Sequence, residues 1–216
     1  QSMGSTDNLS PRLNIDVSCA AGLEAGEVKR VLKAVRRFEG AAGVKIDQHE
    51  MRVTMILPVA SGIGGGSADA GAALRLLRQL YAPDMGDHDL AEISATIGAD
   101  GVMCLWSQSA FAEGYGEKLT PVILPQIPAV LINPGLECST AKVYAAYDTQ
   151  GRFNEIDAMP GFSGAQTIQQ LISALSHTRN DLQSPAIHLQ PAIAEVLTAL
   201  EAQSETRFAR MSGSGA

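Results

Sequence analysis

Cysteine is scarce in this chain. Cys19, Cys104 and Cys138 are all there are, an odd number without CxxC spacing. That excludes a disulfide framework and a thiolate zinc site, both of which need paired thiols at set intervals, and it suits a reducing, cytoplasmic compartment. His49, His88, His177 and His188 show no ligand spacing and are expected to be surface or structural residues. An excess of positive charge is missing too. Asp and Glu outnumber Lys and Arg by 23 to 16, a formal net charge of −7, which argues against a nucleic-acid or membrane-surface protein. No apolar stretch is long enough to span a bilayer, and the opening QSMGSTDN is polar where a signal peptide would be charged and then apolar. Internal repeats and low-complexity segments are absent, so a solenoid or a disordered linker is not expected.

What is present is enough for a core: 216 residues, 45% of them hydrophobic, support one large or two small domains. Asn14 to Ser18 alternate weakly as a strand. Glu27 to Glu39 predict a basic amphipathic helix with Val28, Val31, Leu32 and Val35 inward; a solvated, core-packing helix is the expectation there, ahead of membrane or calmodulin binding. Val53 to Val59 read as a strand, Ala68 to Tyr81 as a helix with Ala72, Leu76, Leu77 and Leu80 on one stripe, and Asp89 to Ile97 as another helix. Val102 to Trp106 look like a buried strand and Ala129 to Ile132 like a short apolar one, after the Pro-punctuated VILPQIP that suggests a domain seam. From Tyr144 onwards helices dominate. The pattern is α+β with two lobes, taken as residues 1–127 and 128–216.

The chemistry is concentrated in LPVASGIGGGSADA, Leu57 to Ala70, where five of the nine positions from Gly62 are glycine or serine. Without Cβ atoms, Gly62, Gly64, Gly65 and Gly66 let the chain take positive φ and bring its amides against an anion. The helix that follows turns the free N–H groups of its first turn towards the loop, where phosphate oxygens can accept from several donors. A flexible connector is the plain alternative, but glycine linkers rarely join a hydrophobic strand to an amphipathic helix. A P-loop would need Lys and Ser or Thr after its last glycine and finds Ser67, Ala68 and Asp69. A dinucleotide fingerprint fits only partly, because the chain after Tyr81 reads as a second helix rather than a strand.

The segment PVASGIGGGSADA resembles the phosphate loop of the GHMP small-molecule kinases, and its GGGSADA form resembles that of the diphosphocytidyl-methylerythritol kinases. Later blocks match in order: Ile97 to Val122, Ile132 to Tyr144, Arg179 to Ala186 and Ala209 to Ala216. The likeness runs from about Leu23 to the end of the chain. It implies a two-lobed fold, a ribosomal-protein-S5-like N-terminal domain with a ferredoxin-like C-terminal one, and transfer of the γ-phosphoryl group of ATP, with Mg2+, to the 2-hydroxyl of a diphosphocytidyl-methylerythritol in isoprenoid precursor synthesis. A small-molecule substrate is the implied partner, and nothing in the sequence sets the oligomeric state. Pro58, Ser61, Gly62, Gly64, Gly65, Gly66 and Ser67 are the implied ATP and phosphate contacts. Ser67 could hold metal or phosphate or cap the helix. Asp100 matches the catalytic aspartate, a general base or orienter of the hydroxyl; without the resemblance it would read as a turn or cap residue. Tyr144 falls where an aromatic ring meets the cytosine, or else is a core aromatic, and Thr140 lies near it in the same pocket. Gly213, Ser214 and Gly215 match the tight turn that supports the phosphate loop.

Departures accompany the matches. The family's first strand, with its catalytic Lys and nearby Asn, and its Asp-Gly-Tyr-His segment have no counterpart; Arg12-Leu13-Asn14 is at most a degraded Lys-x-Asn block, and a closing strand is expected to be missing after Ala216. Val28-Lys29 replace an Asp-Asn pair, Met55 replaces a Lys, and Gly101-Val102 stand where Val-Pro follows the aspartate. Losing a Lys beside ATP removes a charge that neutralises phosphate and should weaken affinity. Two alternatives follow: a catalytically silent nucleotide-binding module, recognised by ATP binding without transfer, and an NAD-dependent oxidoreductase, recognised by preference for NAD.

Overall fold

A computed structural model of the chain describes residues 13–17, 26–46, 51–55, 64–150 and 167–215. The chain forms two compact units, Gln1–Val59 with Gly64–Thr120 and Ala60–Ile63 with Pro121–Ala216.

In the first unit, β1 (Leu13–Val17) pairs in parallel with β2 (Met51–Met55), in a register that sets Leu13 opposite Met51 and Val17 opposite Met55. Parallel strands need a crossover. The helix α1 (Gly26–Ala42) supplies it, burying Val31, Ala34, Val35 and Phe38 at the i, i+3, i+4, i+7 spacing of one helical face. Leu32, expected inward, is only half-buried and lines an open groove of about 490 Å³ with Lys29, Lys33, Arg36 and Arg37. Next in the chain, α2 (Gly65–Tyr81) packs against α1, followed by α3 (Asp87–Ala95) and α4 (Gly101–Trp106). A hairpin of β3 (Ala110–Glu113) and β4 (Lys118–Pro121) closes the unit.

Two expectations fail in this unit for identifiable reasons. The buried face of α2 carries Ala70, Ala73, Leu74 and Leu77, whereas Leu76 and Leu80 are 55% and 60% exposed. The buried face is turned relative to the expected stripe, of which Leu77 is buried: Leu74 and Leu77 fill the core beside Ala70 and Ala73, and Gly71 lets the main chain of α4 come against α2. Residues 102–106 are helix, not strand: Gly101, Val102 and Leu105 are buried and Met103 is exposed, a helical period that a six-residue apolar run can hide. The core joins α1, α2, α3 and α4 through Phe38, Leu74, Leu77, Leu90 and Leu105.

The second unit is helical among its described residues: α5 (Thr140–Gln150), α6 (Ile168–Ser176), α7 (Gln183–Leu189) and α8 (Ala192–Glu201). A capping box starts α6, where Gln170 N–H donates to Thr167 Oγ1 at 3.3 Å and Thr167 N–H donates to Gln170 Oε1 at 3.1 Å. Its core is Cys138, Val143, Ala186, Ile193 and Met211. The strand expected at Ala129–Ile132 is not formed, and Val130 and Leu131 are each 75% exposed. A strand needs a hydrogen-bonded partner as well as apolar side chains, and no described segment pairs with this one.

Candidate functional site

The glycine loop meets α2 at Gly64, which takes a left-handed backbone with φ 73° and ψ 20°. That conformation is open to glycine at little cost, and it turns the chain into the helix. The Gly64 carbonyl accepts from the N–H groups of Ser67 and Ala68, both at 3.0 Å. Gly65 and Gly66 are the first two helical residues, so their N–H groups have no carbonyl of α2 to bond. Ser67 is buried at 5% exposure, and burial pushes the Asp69 carboxyl above its usual range. Pro58, Ser61 and Gly62 lie outside the described residues.

Asp100 occupies the N-cap position of α4, yet its side chain makes no capping hydrogen bond. The residue is exposed and lies in a turn, as expected of it without the resemblance, and its side chain adds no cap to the helix. Its turn is pinned from both sides. A Cβ on Gly101 would lie 2.1 Å from Ser94 O, and one on Gly116, at φ +101°, would lie 2.3 Å from Ala99 O. Main chain therefore abuts main chain on either side of Asp100, and only glycine fits at either contact.

Cys104 connects the two features. Its Sγ lies 3.8 Å from where a Cβ of Gly64 would stand. Burial pushes the Cys104 thiol above its ordinary value, the negative charge of Asp100 pushes the same way, and Arg30 offsets part of the rise. Cys104 of α4 thus lies in a notch beside Gly64 at the start of α2, one helical turn after Asp100. Sequence reasoning assigned no role to Cys104; the signal was its place four residues after Asp100, one helical turn on.

In the second unit Thr140 Oγ1 and Ser214 Oγ share a hydrogen bond of 2.9 Å. Gly213 and Gly215 have φ of 55° and 83°. Asn180, in a matched block but without an assigned role, donates from Nδ2 to Met211 O and Gly213 O, both at 2.9 Å, while its Oδ1 accepts from Leu182 N–H at 3.0 Å. Cys138 Sγ reaches Ser214 O at 3.7 Å, so the glycine turn is held by side chains from three places in the sequence. Tyr144 lies one turn after Thr140 on α5 and is 52% exposed, which rules out a core aromatic and leaves its ring open to a ligand. Glu137, Cys138, Ser139, Lys142, Leu189 and Gln190 line a cavity of about 230 Å³ in this unit. Among the described residues there is no cluster of three or more His, Cys, Asp or Glu that would hold a metal ion, and no helix long and apolar enough to cross a membrane.

Residues 27–112 match the GHMP kinases N terminal domain family. The 4-diphosphocytidyl-2-C-methyl-D-erythritol kinase of Caulobacter sp. (strain K31) is 48% identical over 188 residues, 86% of this chain and 64% of the relative. The kinase of the same name from Caulobacter vibrioides is 42% identical over 197 residues, 90% of this chain and 68% of the relative. The chain therefore spans about two thirds of the length of these curated relatives. A crystal structure of 4-(cytidine 5'-diphospho)-2C-methyl-D-erythritol kinase superposes with a TM-score of 0.67 at 29% identity, covering 96% of this chain and 71% of the solved one. The fold is the α+β GHMP kinase fold. With a left-handed glycine at the start of α2, an uncapped aspartate at the start of α4 and this likeness along nearly its whole length, the chain belongs to the 4-diphosphocytidyl-2-C-methyl-D-erythritol kinase family of GHMP kinases.

Proposed function

We propose that this chain transfers the γ-phosphoryl group of ATP to the 2-hydroxyl of 4-diphosphocytidyl-2-C-methyl-D-erythritol, in the cytoplasm, on the non-mevalonate route to isoprenoid precursors. The observation that supports the reading is the left-handed Gly64 that opens α2, with Cys104 of α4 beside it and an exposed, uncapped Asp100 one helical turn before Cys104. The roles follow from chemistry. The N–H groups of Gly65 and Gly66, with the loop residues Pro58, Ser61, Gly62 and Gly64, hold phosphate oxygens at the positive end of α2. Asp100 accepts the proton of the 2-hydroxyl as its oxygen bonds to the γ-phosphorus; the bond to the bridging oxygen breaks and ADP leaves. Ser67 would hold Mg2+ through its hard hydroxyl oxygen, and the ion would supply neutralisation of phosphate charge. Thr140 and Tyr144 serve the substrate, the Tyr144 ring stacking on the cytosine. Gly213, Ser214 and Gly215 form the turn that supports the phosphate loop. The free thiols of Cys104 and Cys138 suit the reducing compartment.

The test combines ADP release in the presence of both substrates and Mg2+ with calorimetry of ATP binding. Turnover dependent on the diphosphocytidyl substrate is expected. Binding without turnover would favour a silent nucleotide-binding module, and absence of both would overturn the assignment.

A further inference from the structure

On the kinase reading Asp100 acts only if α4 keeps its spacing from the start of α2; the Gly101 contact with Ser94 O holds the N-terminal end of α4 against α3, and the contacts with α2 lie towards its C-terminal end. Six residues at about 1.5 Å rise make it about 9 Å long, so a tilt of α4 against α2 by about 6° changes the spacing of its ends from α2 by about 1 Å. A displacement of that size can cost about a hundredfold in rate.

Two residues of α2 act against that tilt. A Cβ on Gly71 would lie 2.8 Å from Cys104 O, 2.9 Å from its carbonyl carbon and 3.0 Å from Leu105 Cα, so the two backbones are in direct contact at this crossing. One turn further along α2, the half-buried Arg75 donates from its guanidinium to Cys104 O at 3.3 Å and to Leu105 O. Carbonyls in the last turn of a helix have no intrahelical donors, and a cation there also opposes the negative end of the dipole. Cys104 is the hinge point of both contacts: its carbonyl meets Gly71 and Arg75, and its Sγ reaches towards Gly64.

We propose that Arg75, acting with the close approach at Gly71, is a positioning residue that locks α4 onto α2 and so fixes the distance from Asp100 to the phosphate-holding end of α2. The proposal rests on the kinase reading for its effect on rate, but the clamp itself can be measured without activity. Arg75→Met removes both hydrogen bonds while keeping much of the aliphatic stem. Arg75→Lys keeps the charge but not the planar fork that reaches two carbonyls at once.

For the phosphoryl transfer reaction, Arg75→Met is expected to lower kcat about tenfold with KM for ATP within about twofold, and Arg75→Lys to fall between it and the parent chain. The independent readout is alkylation of Cys104, followed by mass spectrometry on the peptide that carries it; loosening of α4 is expected to raise its rate about fivefold in Arg75→Met. Should Arg75→Met not fold, Arg75→Lys carries both measurements. The proposal is overturned if kcat per ATP-binding site and the Cys104 alkylation rate both stay within about twofold of the parent chain in the variants. It is also overturned if kcat falls only in proportion to the loss of ATP-binding sites, the mark of a plain folding defect. If the parent chain itself transfers no phosphoryl group, the kinase reading fails alone and the alkylation rate still decides the clamp.

Discussion

Around α2 and α4, in the first unit, the chain is positioned by what its residues leave out: Gly71 and Gly101 bring main chain against a neighbour at a distance that a side chain would obstruct, and Gly64 takes a backbone shape that a side chain disfavours. At Gly213–Gly215, in the second unit, the turn is positioned by what other residues add: two donors from Asn180, the hydroxyl of Thr140 and the thiol of Cys138. The first arrangement is stiff because backbone cannot swing aside. The second is a set of hydrogen bonds, each worth about 1 kcal/mol net, that can be lost singly. On the proposed reading, stiffness belongs where a reacting phosphate and Asp100 would keep their spacing, and an adjustable turn is tolerable on the side proposed to meet the larger substrate.

This difference can be broken from either side. The largest effect is expected for Asp100→Asn, which removes the proton acceptor but leaves every packing contact: turnover should fall about a hundredfold or more with ATP affinity by calorimetry nearly kept. Unchanged turnover would remove Asp100 from the mechanism. Next is Gly101→Ala, whose methyl would meet Ser94 O in the last turn of α3. Because main chain cannot rotate out of the way, a loss of about 2 kcal/mol in denaturant unfolding is expected.

In the second unit, Asn180→Ala should be milder. It strips the donors from the part-buried Met211 O and the exposed Gly213 O, and about 1 kcal/mol is expected to be lost in the same unfolding measurement. A cost for Asn180→Ala above that of Gly101→Ala would reverse the comparison. The smallest effect is electrostatic. The charge of Asp100 disfavours the Cys104 thiolate, so Asp100→Asn should lower the thiol pKa, raise the thiolate fraction at any pH below it, and speed alkylation of Cys104 about twofold. A rate that does not rise would separate Asp100 from the notch.

Much of the first unit could be read from the chain because its signals are local. The glycine run predicted a left-handed entry to a helix, and Gly64 supplies it; the buried face of α1 at Val31 and Val35 follows from simple periodicity. Where local signals were ambiguous, tertiary contact decided. The GVMCLW run became α4 because burial of Gly101, Val102 and Leu105 follows a helical period, and Leu76 and Leu80 point outward because the buried face of α2 is centred on Ala70, Leu74 and Leu77. Ala129–Ile132 is apolar enough for a strand but has no described partner. The clamp at Arg75 joins residues 29 and 30 positions apart, and Asn180 reaches 31 and 33 positions ahead. Such pairs leave no periodic trace in a single sequence, which is why neither Arg75 nor Asn180 had been assigned a role from it.

The central claim is that the start of α2 receives the phosphates of ATP. The most direct measurement is an amide nitrogen NMR titration of the chain with ATP and Mg2+, reading the resonances of Gly65 and Gly66. Large, saturating shifts of both amides, with smaller ones at Gly101 and Cys104, are the expected result; amides of Gly65 and Gly66 that stay still while ATP saturates the chain would contradict the account.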